Sequence, residues 1–276
     1  MNRGEQVSRA QRNLISTTAA AALFWLALAT MSAQTSPSNS NQNANASSDL
    51  ESIVSHLAEV QYRNRRAIRP YVVTREYKLF ADTRDKAESE VMAEISFLPP
   101  GTKQYAIKST EGSGRGEKVV RKVLAHEQEM ASDWEETSLT GRNYDFQLVG
   151  EENLDGHRCY VLKIVPKRDV KDLIRGTAWI DTDTYNTIRI AGQPAKSPSW
   201  WVKRVDLTLT FSDVDGMWLQ TGATANAEVR LMGKHVLTSQ DVKYDTGGES
   251  VAARSAQRSA QHGRAQQSLA TILLSR

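Results

Sequence analysis

The sequence predicts a mainly β fold: one large, curved antiparallel sheet of about nine to eleven strands with two helices against one face, spanning roughly residues 49–245. Three observations carry this prediction. Apolar and polar residues alternate through a long series of short segments, turn-forming residues divide those segments at close intervals, and only two stretches show helical spacing.

The first helical stretch holds Leu50, Ile53, Val54, Leu57 and Val60 at steps of three and four, one apolar stripe reaching to about Arg66. Ser48-Asp49-Leu50-Glu51 has the capping-box pattern, in which hydroxyl and carboxylate satisfy free backbone N–H groups, so the helix is expected to start at Ser48. Strand patterns follow: the β-branched and aromatic run Tyr71–Phe80, then Val91, Ala93, Ile95 and Phe97 alternating before Pro99-Pro100-Gly101, then Tyr105 and Ile107. The second helix is read from Val119, Val120, Val123 and Leu124, ending near Met130. After Asn143 the hairpins continue. Asp155-Gly156 and Asp215-Gly216 are favoured hairpin turns because both residues tolerate positive φ. Asp181-Thr182-Asp183-Thr184 separates two further strands, Val205–Phe211 alternates cleanly, and the last strand ends near Tyr244. Consecutive antiparallel hairpins exclude a doubly wound parallel sheet.

Composition sets the outer bounds. At 39% hydrophobic and 24% charged residues, neither a polytopic membrane protein nor a wholly disordered chain is expected. The formal charge of +3 sits in the termini, with +2 on residues 1–33 and +3 on residues 246–276, leaving the body at −2. A mildly acidic body offers no footprint for a phosphate backbone, so no nucleic-acid partner is expected.

Residues 1–33 read as a secretory signal peptide, with Arg9 and Arg12 ahead of the apolar stretch Ala19–Ala29 and cleavage expected after Ala33. The alternative is an uncleaved inner-membrane anchor over Leu14–Ala33. Either reading places the body in the periplasm. Residues 34–48 are a polar linker, and residues 246–276 a basic tail, both expected to be disordered. Leu269, Ile272, Leu273 and Leu274 give the tail an apolar end suited to peripheral membrane contact.

Chemistry-bearing constellations are sparse. The five histidines, at 56, 126, 157, 235 and 262, lack metal-ligand spacing, and no metal or cofactor is implied. The sole cysteine, Cys159, is two residues from His157 on the same strand face, but the sequence supplies neither an orienting third group nor an oxyanion hole. Gly112–Lys118 departs from both glycine-rich phosphate motifs and reads as a helix-start loop. Asp181/Asp183 and Asp213/Asp215 occupy expected turns, where Asp is favoured for bonding local N–H groups, and Asp133, Glu135 and Glu136 flank Trp134 without a defined separation. No catalytic residue is assigned, and an enzyme is not expected.

The order of elements and several runs resemble a known family: Tyr144-Asp145-Phe146 to Gly150, Asp155-Gly156-His157-Arg158-Cys159-Tyr160-Val161-Leu162 to Pro166, Gly176–Asp181, Arg189-Ile190-Ala191-Gly192 and Gly216-Met217-Trp218-Leu219. Over residues 49–245 the chain resembles the LolA-like outer-membrane lipoprotein-sorting and carrier family, related to sensor domains of periplasmic anti-sigma regulators. The resemblance implies an unclosed half-barrel with helices against its concave face, binding lipid or lipoprotein acyl chains in the cell envelope without chemistry. The runner-up reading is a regulatory sensor of the same fold with an envelope protein as partner; an uncharacterised hydrolase is a third reading. The candidate ligand-binding residues are Ile95, Phe97, Tyr105, Ile107, Leu162, Ile164, Leu207 and Leu209, on the apolar sides of expected strands. Trp200 and Trp201 are candidates for a rim touching ligand or membrane, or for a strand start packed under a helix.

Overall fold

Antiparallel pairing of neighbouring segments runs through the whole sheet, as the hairpin chemistry requires. The structure is a computed structural model; it describes residues 40–81 and 85–247, which belong to one unit. The expected signal, residues 34–39 of the linker and most of the basic tail lie outside the described residues.

Helix α1 spans Ser40–Ala67 and is followed by β1 (Tyr71–Phe80), β2 (Ser89–Leu98) and β3 (Thr102–Gly112). Helix α2 (Gly114–Glu129) and two short 3-10 turns, Met130–Ser132 and Trp134–Glu136, come next. Then follow β4 (Tyr144–Leu154), β5 (His157–Pro166), β6 (Ile174–Asp181), β7 (Thr187–Pro194), β8 (Val202–Val214), β9 (Met217–Val229) and β10 (Gly233–Asp245). The two expected Asp-Gly turns have left-handed backbones at both positions, with φ of 52° and 88° at Asp155-Gly156 and 51° and 79° at Asp215-Gly216.

Two expectations are corrected. α1 begins at Ser40, so Ser48 lies inside the helix, the Ser48–Glu51 pattern does not mark its start, and residues 40–48, expected as part of a disordered linker, are helical. Extending an existing helix backwards costs far less than nucleating one, and Ala44 and Ala46 have the highest helix propensity of any residue.

The ten strands lie in the order β3-β2-β1-β10-β9-β8-β7-β6-β5-β4. Two meanders, of three and seven strands, are therefore joined inside the sheet, where β1 pairs with β10 from Val72 opposite Asp245 to Phe80 opposite Val236. The edges β3 and β4 do not pair with each other, so the half-barrel is unclosed. The connection from one edge to the other is α2 with its 3-10 turns, which crosses the concave face.

Each helix covers a different half of that face. Ile53 and Leu57 of α1 are buried with Tyr144, Leu162, Ile164, Leu173, Ala178, Ile180 and Ile190. Val120 and Leu124 of α2 are buried with Val73, Tyr77, Val91, Ala93 and Ile95. The central strands β8 to β10 belong to neither cluster of fully buried residues, and most of their side chains are only half-buried.

Candidate functional site

The gap between the two covered halves is a cavity of about 610 Å³. Its floor follows from strand periodicity. Leu207 in β8 pairs with Ala225 in β9, which pairs with Leu237 in β10; Leu209, Ala223 and Ser239 form the adjacent row. All six line the cavity. Successive side chains of a strand alternate between faces, so the Ala223/Ala225 alternation places the smallest side chains opposite the helices. Larger residues there would close the space.

The walls come from elements distant in sequence. Val123, His126 and Glu127 of α2, Met130, Ala131 and Trp134 of the crossing segment, and Arg65 and Ile68 at the end of α1 face the floor. Pro194 and Pro198 bound it beside β7 and β8. The β8–β10 side is mostly apolar and uncharged, with Gln220 and Ser239 its polar members, while charge gathers on the α2 side.

There the polar groups form a buried network. The Arg75 guanidinium donates to both carboxylate oxygens of Asp241, one of them at 3.2 Å, and to Glu127 at 3.3 Å. Lys103 donates to Glu127 at 3.0 Å, and the Tyr244 hydroxyl also donates to Asp241. The Arg75 and Asp241 side chains are 9% and 1% exposed, which in this setting demands full pairing. Burial disfavours the Glu127 carboxylate, but Lys103 and Arg75 outweigh it and hold its pKa below the usual carboxylate range. Burial raises the Tyr71 hydroxyl to about 12. At the same end, Arg65 lies 5.3 Å above the Phe97 ring and 5.8 Å above Trp134, and donates to the carbonyl of Ala131 at 3.0 Å. His126 Nε2 is 2.5 Å from Asp172 Oδ1, tying α2 to the loop after β5.

Of the ten candidate ligand-binding residues, Phe97, Leu207 and Leu209 line the cavity. Ile95, Leu162 and Ile164 are buried in the two core clusters instead. Tyr105 and Ile107 pack at the margin of the α2 cluster. Trp200 and Trp201 are exposed, at 70% and 47%, and stack on each other with ring centroids 3.7 Å apart. Ala223, Ala225, Leu237 and the polar network were not singled out from the sequence. The small-residue alternation in β9 was the available signal; the Arg75–Asp241 pairing spans 166 positions and had none.

The sequence-level chemistry is resolved residue by residue. Asp181 does supply the third group missing for His157: its Oδ2 lies 2.9 Å from His157 Nδ1. Its Oδ1 accepts from the N–H groups of Asp183 and Thr184, the turn role expected of it. Burial, followed by the charge of Asp181, pushes the Cys159 thiol up to about 11, the opposite of what a nucleophile needs. Asp213 likewise accepts from the N–H of Gly216 within its turn. Among the described residues, no group of three His, Cys, Asp or Glu side chains is gathered as a metal site requires.

A family model described as "Uncharacterized protein" matches residues 126–251. No curated protein matches the chain. Several solved structures are similar in outline. A DUF1329 family protein from Desulfovibrio piger shares 13% identity, with 71% of this chain and 92% of that one covered and a TM-score of 0.39. A LolA superfamily protein from Nitrosomonas europaea shares 14% identity over 71% and 92%, with a TM-score of 0.36. The Pseudomonas aeruginosa MucA/MucB complex shares 12% identity over 74% and 97%, with a TM-score of 0.21.

Proposed function

We propose that the protein is an exported, non-catalytic binding protein of the bacterial cell envelope, whose cavity takes the acyl chain of a lipid or lipoprotein. The observation that carries this reading is the uncovered floor of the half-barrel, where Ala223 and Ala225 hold open a space between two separately packed cores. Its volume lies within the roughly 300–1,000 Å³ typical of small-molecule sites. An apolar floor with a charged margin at Lys103, Glu127 and His126 suits a ligand with an apolar chain and a polar head. About ten methylenes buried on that floor would contribute roughly 8 kcal/mol before the cost of association. The runs at Tyr144–Gly150, Asp155–Pro166 and Gly176–Asp181 that resemble the LolA-like carriers agree with this reading.

The test is native mass spectrometry, with lipid extraction, of the chain purified from a bacterial periplasm without detergent. The expected result is an acyl-bearing species at close to one per chain. A clean apo mass, with no displacement of an apolar fluorophore by fatty acyl compounds, would overturn the reading and direct attention to protein partners.

A further inference from the structure

Four large apolar side chains are exposed together at one end of the central strands. Trp200 and Trp201 lie in the loop before β8; Leu231, 97% exposed, and Met232, 52% exposed, form the turn between β9 and β10. The two segments are fastened together: the Arg230 N–H donates to the Trp201 carbonyl at 2.8 Å and its guanidinium to the Trp200 carbonyl at 3.0 Å. The Ser197 hydroxyl, 2.9 Å from the Ser199 carbonyl and 3.0 Å from that of Val202, fixes the loop from within.

Neither packing nor backbone preference accounts for Leu231. Its φ is 67°, in the left-handed region where Gly or Asn is favoured and a leucine is strained. A side chain with almost no protein contact gains nothing from the fold to offset that strain. The surroundings are basic. Lys196, Lys203, Arg204, Arg230 and Lys234 lie in the same two segments as only two carboxylates, Asp206 and Glu228. Lys203 pairs with Glu228 at 2.9 Å and Arg204 with Asp206 at 2.8 Å, so Lys196, Arg230 and Lys234 provide the excess positive charge.

We propose that this Trp200–Trp201/Leu231–Met232 tip docks onto an anionic lipid bilayer. Indole rings suit the boundary between apolar and polar layers, protruding aliphatic side chains can enter it, and flanking Lys and Arg are drawn to anionic headgroups. The charge complementarity favours this occupant, and so does the shape. A stable protein interface needs roughly 800 Å² per partner, whereas four side chains at a loop and a turn present a small convex point. Pro198, two residues from Trp200, lines the cavity, so docking would bring the cavity to the membrane surface. The inference does not require the cavity to hold an acyl chain, and its assay reads a different site.

The experiment uses the full chain with Leu231→Cys, labelled with an environment-sensitive thiol fluorophore. Cys159 is buried, so in the folded protein the label goes to position 231. Vesicles of phosphatidylethanolamine with phosphatidylglycerol are compared with vesicles of phosphatidylcholine alone. The expected result is a blue shift of the label on the anionic vesicles only, weakened by added salt. Met232→Ser with Trp200→Ser should reduce cosedimentation of the unlabelled chain with those vesicles by about tenfold. Its thermal midpoint should not change, because both side chains are exposed. Cosedimentation without a shift at position 231 would mean that another segment binds the membrane and would overturn the proposal. So would no binding to either vesicle, or a blue shift without vesicles that tracks self-association.

Discussion

Replacing Ala225 by Leu tests the cavity directly, because Ala225 sits in the middle of its floor between Leu207 and Leu237. The substitution adds three carbons pointing toward α2. If they take the place of three ligand methylenes, the loss is about 2.4 kcal/mol, or roughly fifty-fold in affinity. Stability should hold or rise, since the added carbons enter space that the protein leaves unfilled. Ala178 is the contrasting position: it is 0% exposed within the α1 core, where the same change to Leu overpacks and should cost about 1–3 kcal/mol. The assay is displacement of an anilinonaphthalene fluorophore by palmitate, paired with urea unfolding of each variant. Weakened palmitate binding in Ala225→Leu at undiminished stability is the expected outcome. Unchanged binding at unchanged stability would mean that palmitate binds elsewhere, and the reasoning from the β9 floor would fail.

Other perturbations probe what holds the half-barrel together. Arg75→Met strands the Asp241 carboxylate and should cost about 3–5 kcal/mol by urea unfolding, part of which a second change, Asp241→Asn, should restore. Glu127 and Asp181 both have folded pKa values below their ordinary ones, so their contribution is present above the unfolded values and is lost as pH falls through the folded ones. Stability should therefore decline below about pH 4, more gently in Glu127→Gln; a flat profile from pH 5 to 3 would contradict this. Gly176→Ala should disrupt the β6–β7 ladder, because a Cβ there would lie 2.0 Å from the Ala191 carbonyl oxygen and 2.6 Å from the Gly192 Cα; circular dichroism and a lowered melting point would report it. Cys159 should resist alkylation at pH 8 until the protein unfolds, given its burial and a thiol raised to about 11.

Local physics was legible in the sequence where it decided the outcome alone. The Asp155-Gly156 and Asp215-Gly216 turns, the alternation that puts Val205, Leu207 and Leu209 on the cavity side and the stripe of Ile53, Leu57 and Val60 all fold as their periodicities require. Residues read as inward-facing were inward-facing, but inward meant core for Ile95, Leu162 and Ile164 and cavity for Leu207 and Leu209. Nothing in a strand's own pattern separates the two, since the difference lies in whether a helix from another part of the chain covers that stretch. The Arg75, Asp241 and Glu127 network was illegible for the same reason: its members meet only after β1 pairs with β10 and α2 crosses the sheet. Ala223 and Ala225 were legible in principle, because a strand that spends its inward positions on alanine leaves room by design or by accident.

The placement of β1 beside β10, inside the sheet and not at an edge, also has a temporal meaning. When a chain is delivered N-terminus first, β1 to β3 form a meander whose inner edge has no neighbour until residues 233–245 arrive. Loop closure across so long a stretch is slow, and the pairing that seals the sheet is the last the chain can make. Until then the β1–β3 meander and the β4–β9 meander share no strand pairing. The final strand acts as the clasp that turns two separate meanders into a single object.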